Sequence, residues 1–318
     1  MKNSLYRWLF FGLIAALFLL LPFLTPYHSL ATEMLIFAIF AVGYDILFGY
    51  TGLLSFGHAM FFGIGAYGTG LVLIRVSSSL FLALGIAIAI SLLVSSVIAF
   101  LSIRKRGIYF VMITLGFCQM LYFIAFKWTG LTGGDNGLHG VPRTSFGPIN
   151  LDSEITLYFF ILTFFFFSVL LAFRIVNSPF GRVLSALKEN EDRARSVGYN
   201  TTRFKTIAFM ISAFFASLAG GLYAVHSNFV PLDTLSINTS GDVVIMTLLG
   251  GIGTLYGPIL GAMLIVYLKN LLSNWVGNWN LILGAIFIVS VLTVRQGIFP
   301  VLFSKLKEKL WTRDVARS

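Results

Sequence analysis

The stretch SPFGRVLSALKENEDRARSVGYNTTRFK, residues 178–205, is a polar, basic segment between two very apolar ones. The flanking runs, near 156–175 and 204–226, are each long enough to cross a bilayer; a spanning helix takes roughly 20 predominantly apolar residues. A polar segment fixed between two spans sits at a membrane face. Its excess of Lys and Arg places it on the cytoplasmic side.

Further apolar runs lie near 7–25, 30–48, 58–75, 80–102, 108–127, 241–256, 258–275 and 281–297. The expected fold class is therefore all-α: a polytopic helical membrane protein with about ten spans, or eight if two Gly-rich stretches are re-entrant. Composition agrees. Hydrophobic residues make up 58% of the chain and charged residues 11%, against about 25% charged in soluble domains. Both halves are alike, so residues 1–318 read as one membrane domain, with 178–205 as a cytoplasmic segment inside it. The run Trp8 to Leu21 follows Lys2 and Arg7 in the manner of a signal peptide. It lacks a small-residue cleavage site before Pro22 and Pro26, and is read as a first span.

The net charge of +10 calls for no nucleic-acid partner. The basic residues collect in three patches, as the positive-inside rule requires. These are Arg104 to Arg106, then Arg174, Arg182, Lys188, Arg193, Arg195, Arg203 and Lys205, then Lys305 to Arg317. The loop 128–155 carries Asp135, Asp152 and Glu154 against Arg143 and belongs outside. Both termini then fall in the cytoplasm. A single cysteine, Cys118, excludes an internal disulfide and a Cys-based metal site.

Two stretches are dense in glycine: GYTGLLSFGHAMFFGIGAYGTG (49–70) and LLGGIGTLYGPILGA (248–262). Broken helices at membrane depth are tolerated where protein or a water-filled cavity covers the backbone, and they point to transport pathways. Ser55, Gly57, Gly250, Gly251 and Gly253 are the pathway or gate candidates on this reading. The competing reading is close helix packing through small residues. That second reading suits the span 204–226, where Ala208, Ser212, Ala216, Gly220 and Ala224 recur at spacing four. The stripe faces either the rest of the chain or a second subunit.

Ionisable groups inside spans are costly and are functional candidates by default. Asp45 lies one turn before the first Gly-rich break and His58 lies in it, so the pair could relay protons. Near the interface, satisfied by backbone groups, both would be structural. Glu33 is close to the outer end of its span. Asp242 is expected at the start of a helix, where the dipole favours a carboxylate. The sequence contains neither a paired-acid nor an H-E-x-x-H constellation, and it lacks the phosphate-cradling G-x-x-x-x-G-K-[ST] loop.

Within 178–205, Ser178 suits a helix cap and Pro179 the first helical position. Arg182 to Val197 reads as one amphipathic helix with Val183, Leu184, Leu187, Ala194 and Val197 roughly on one side. Gly198 ends it. Anionic lipid could hold such a segment. Three acids, Glu189, Glu191 and Asp192, favour docking in a protein groove instead.

Four ordered stretches carry a resemblance: GLLSFGHAMFFGIGAY (52–67), LTGGDNGLHGVP (131–142), ENEDRARSVGYN (189–200) and LLGGIGTLYGPILGA (248–262). Together they resemble the LivM branch of the branched-chain amino acid ABC permeases. The resemblance implies an importer with a second, LivH-like permease subunit, two ABC ATPase subunits and an extracytoplasmic substrate-binding protein. It places the chain in the bacterial inner membrane, among membrane lipid. The chain itself would be no enzyme and bind no cofactor, with ATP and Mg on the ATPases. The coupling residues it implies are Gly181, Arg182, Glu189, Asn190, Glu191, Ala194 and Gly198. ABC permeases carry a Glu-Ala-Ala…Gly pattern here; Glu191, Ala194 and Gly198 align with it, and Arg193 stands in place of the first Ala. The expected cargo is a branched-chain or related amino acid. A urea or short-amide permease of the same family is the alternative. From another class, the alternative is an ion- or proton-coupled secondary transporter using Asp45 and His58.

Overall fold

The computed structural model describes residues 18–22, 25, 27–105, 107–143, 151–275, 281, 282, 284, 285 and 288. The expected last span and the tail patch fall outside them or nearly so, as do most of the expected first span and Arg106. Among the described residues, eight apolar helices form a bundle: α1 (His28–Thr51), α2 (Ala59–Arg75), α3 (Leu80–Ser102), α4 (Ile108–Lys127), α5 (Glu154–Val176), α8 (Thr201–Ser227), α9 (Ile237–Gly250) and α10 (Tyr256–Trp275). Between α5 and α8 lie two short helices, α6 (Pro179–Glu189) and α7 (Glu191–Ser196). Six of the helices are long and apolar enough to cross a membrane; α2 and α9 are the shorter apolar pair. The chain is a multi-pass membrane protein.

Helix α1 is the centre of the bundle. Its apolar window is 89% buried, whereas that of α4 is 22% buried. A helix that is hydrophobic all round is buried on every side, and α1 packs against α8, α10, α5 and α9. The outer helices expose large apolar side chains, including Leu93, Phe100, Met112, Phe123 and Phe167. That is the surface a lipid environment would cover.

The small-residue stripe on α8 meets this chain's own helices. Ala208, Ser212, Ala216, Gly220 and Ala224 are buried, and α8 packs on α1, α2 and α3. A β-carbon at Gly220 would overlap the carbonyl of Phe62, and one at Gly65 would overlap the carbonyl of Ser217. The α2–α8 crossing is thus a backbone-to-backbone contact that glycine alone permits on each side. Most glycines of the first Gly-rich stretch therefore serve packing rather than a break: Gly63, Gly65, Gly68 and Gly70 all lie inside α2.

The break itself is confined to residues 52–58, between α1 and α2. The second break, 251–255, falls earlier than expected, inside the run read as 241–256. Gly251 and Gly253 take φ of 115° and 77° there, a region open mainly to glycine. Pro258 then sits within the first turn of α10, where its missing N–H costs nothing. Helix α9 correspondingly begins at Ile237, so Asp242 lies inside it rather than at its start. Asp242 pairs with Lys269 of α10.

At one end of the bundle, Leu138–His139 and Phe229–Val230 form a two-stranded antiparallel ribbon that joins the 128–155 loop to the end of α8. At the other end lie α6 and α7. Replacing Gly220 by Val is expected to destabilise the chain by about 1–3 kcal/mol, the usual cost of overpacking. Thermal unfolding in detergent would register this as a lowered midpoint. Gly85→Ala, which meets nothing within 4 Å, should not lower it.

Candidate functional site

Two consecutive residues of α1 hold both chain breaks. The Tyr44 hydroxyl donates to the carbonyl of Ser55 at 2.9 Å and accepts from the N–H of Ser55 at 3.1 Å. It thereby satisfies both backbone groups of a buried, non-helical residue. Asp45, also fully buried, accepts from the N–H of Gly253 at 2.7 Å and of Leu255 at 3.2 Å. Successive helix positions point about 100° apart, so neighbours on α1 can reach breaks on different sides of it. Thr254 completes the second break: its hydroxyl donates to the Gly251 carbonyl and accepts from Gly257 N–H. Unpaired backbone groups cost several kcal/mol in a membrane, and these contacts remove that cost.

His58 sits beside the first break. One ring nitrogen bonds the Ser55 hydroxyl and the other bonds the Ser212 hydroxyl of α8, each at 2.9 Å. Tyr44, Phe61 and Phe209 meet the imidazole edge-on. Ser55, Gly57 and His58 are therefore brought together, and so are Asp45 and Gly253. The two groups remain separate: Asp45 and His58 each have their own partners. Gly57 packs on the Thr114 carbonyl, and Gly250 packs on Gly257 where α9 and α10 meet.

The polar segment 178–205 joins this arrangement through Lys188. Its ammonium donates to the carbonyl of Gly49, one turn beyond Asp45, at 2.7 Å. Ser178 caps α6 by accepting from Gly181 N–H at 3.4 Å, and Gly181, Leu184 and Leu187 face the bundle. Phe180 stacks on Phe204 at the start of α8, ring centroids 5.5 Å apart.

The expected single helix is in fact two. Asn190 is extended (φ −158°, ψ 99°) and caps α7 by accepting from Arg193 N–H at 2.9 Å. Asn followed by two acids makes a strong helix start, since the carboxylates sit in the first turn where the dipole favours them. The restart shifts the helical phase. Ala194 stays buried, but Val197 turns outward and is 72% exposed. Gly198, at φ 97°, closes α7: its N–H reaches the Arg195 carbonyl, and that of Tyr199 reaches the Ala194 carbonyl. This is the Schellman pattern.

The predicted coupling residues thus divide. Arg182, Glu189, Asn190 and Gly198 are exposed. Gly181 and Ala194 face inward. Glu191 bonds Lys205 at 2.7 Å and lies 3.6 Å from Arg195, fastening α7 to α8. Sequence reasoning passed over Tyr44 and the anchoring role of Lys188. The available signals were a tyrosine beside a buried acid and a lone lysine after the buried Leu187.

A family model described as branched-chain amino acid transport system / permease component matches residues 27–291. The chain belongs to this family. Among curated relatives, it is 29% identical to the high-affinity branched-chain amino acid transport system permease protein LivM of Salmonella typhimurium, over 91% of this chain and 74% of that one. It is 29% identical to the Escherichia coli LivM, over 88% and 72%. An autoinducer 2 import system permease protein, LsrC of Yersinia pseudotuberculosis, is 28% identical over 46% of this chain and 44% of its own length. No solved structure matches.

For this permease the tie between α1 and the second break is testable. Asp45→Leu leaves two buried N–H groups without acceptors, at about 1–3 kcal/mol each. Amide exchange at Gly253 and Leu255 should speed up at least about tenfold, since about 1.4 kcal/mol is one decade. Lys188→Met should leave those two amides protected.

Proposed function

We propose that this chain is the transmembrane permease subunit of an ATP-driven ABC importer in the bacterial inner membrane. Its cargo is branched-chain or related amino acids, delivered by an extracytoplasmic binding protein. The observation that carries the reading is the mechanical continuity from α6 through Lys188 and Gly49 to Asp45 and the second break. An importer driven from the cytoplasm needs such a link between its motor and its pathway.

In the proposed cycle, two separate ATPase subunits bind ATP with Mg and close around the α6–α7 pair and its counterpart on a LivH-like permease. The exposed face of that pair, Arg182, Glu189, Asn190, Arg193 and Val197, supplies the docking surface. Gly181, Leu184, Leu187 and Ala194 seat the pair on the bundle, and Glu191–Lys205 keeps α7 attached to α8. Movement of the pair then reaches α1 through Lys188, and reaches 251–255 through Asp45. Ser55, Gly57, His58, Gly250, Gly251 and Gly253 form the region about which the spans rock. The permease makes no covalent bond; ATP changes which of two conformations is favoured, and the solute follows its differential affinity for them.

The family match and the breadth of similarity to LivM proteins support an amino-acid cargo over urea or short amides. The separate partner sets of Asp45 and His58 weigh against a proton relay through that pair.

Purification from the native membrane tests the reading. A P-loop ATPase and a second permease should accompany the chain. Glu191→Arg with Gly198→Trp should abolish that association. Val197→Asp, which alters an exposed side chain only, should reduce it at least about tenfold, a loss of about 1.4 kcal/mol. A chain that purifies alone and moves solute in liposomes without ATP would sink the proposal.

A further inference from the structure

A cavity of about 240 Å³ opens between α1, α9 and α10. Glu33 and Lys269 line it, with Phe37, Met246, Val266 and Ser273. It is distinct from the breaks. Glu33 lies sixteen residues before Gly49 on α1, on the order of 24 Å along the axis, so the cavity belongs to the half of the bundle remote from α6 and α7. Pockets for drug-sized ligands run roughly 300–1,000 Å³, so this one suits a smaller solute.

Its chemistry is unusual for a membrane interior. Lys269 is paired with Asp242. Glu33 makes no side-chain hydrogen bond or ion pair with any described residue. Glu33 and the Lys269–Asp242 pair therefore face one cavity, and the Lys269 charge acts on the Glu33 carboxyl from the neighbouring helix. An ionisable side chain within an apolar helix is costly to place and a functional candidate by default. Phe37, one turn from Glu33 on α1, joins Met246 and Val266 as the apolar part of the lining.

We infer that this cavity is a binding station for a small zwitterion with an apolar side chain. Glu33 receives the α-ammonium. Lys269, held in place by Asp242, receives the α-carboxylate. Phe37, Met246 and Val266 receive the side chain. The inference rests on the proposed amino-acid cargo and deepens it: it adds a solute site within this chain, separate from the binding protein. Both ends of the solute are recognised by charge, so removal of either charge should be felt by a different wall.

The test places a reporter thiol at Ser273→Cys in the full-length chain in lipid nanodiscs, with L-leucine as probe. Maleimide labelling of the thiol should slow about tenfold at saturating L-leucine, and far less with leucinamide or 4-methylpentanoate, which lack one charge each. Added Glu33→Gln should erase the preference for leucine over 4-methylpentanoate. Added Lys269→Gln with Asp242→Asn, which removes both members of that ion pair together, should erase the preference for leucine over leucinamide. Variants that merely misfold would change labelling equally for all three solutes. Equal effects of the three solutes on the parent, or none, overturn the station. If the assembled importer still takes up leucine in that case, the proposed function stands without it. Failure of leucine uptake by the assembled importer overturns the cargo instead.

Discussion

The hydrogen bonds from Tyr44 and Asp45 are the constraint on which the rest of the bundle depends. The chain leaves helical form between α1 and α2 and again between α9 and α10, and the buried backbone groups of each break, at Ser55 and Leu255, need partners. Adjacent residues on the most buried helix answer both. Tyr44 takes the two backbone groups of Ser55, and Asp45 takes the amides of Gly253 and Leu255. Helix α1 is therefore more than a packing core. It supplies the polar groups that make the irregular backbone around it tolerable, and it keeps the two breaks at fixed distances from each other.

Glycine has two physical uses in this chain, and they separate by position. In α2 and α8 it removes a side chain so that backbones touch, as at Gly65 and Gly220. In the second break it supplies positive φ at Gly251 and Gly253. The first use makes the α2–α8 crossing close and stiff. The second makes a short loop whose amides at Gly253 and Leu255 Asp45 holds. A stiff pair of helices beside a polar-clamped loop is a sound basis for rigid-body movement, because strain is directed to the few residues between packed elements.

Much of this was legible in the sequence. The apolar runs marked the helices of the bundle, the small-residue spacing on 204–226 marked the contact face of α8, and the capped start of α6 was visible from Ser178 and Pro179. Two readings failed for local reasons. The segment 178–205 looked like one helix because its residues are good helix formers, yet Asn190 with Glu191 and Asp192 forms a start signal strong enough to restart it. The second break was set too late because the apolar run continues to 256, whereas the backbone leaves the helix at Gly251, where φ turns positive. The roles of Asp45 and Lys188 depend on Gly253 and Gly49, partners far away along the chain. Such pairings have no signature in local spacing, and neither does a cavity whose lining comes from three helices.

The pairing of Asp45 with Gly253 spans 208 residues of sequence. During biosynthesis α1 emerges long before its partner loop exists. At about 5–20 residues per second, the interval is roughly 10–40 s. For that time the Asp45 carboxylate is without its two native amides. Folding of this chain therefore has a built-in order: α1 is made well before the loop between α9 and α10 that completes its polar contacts.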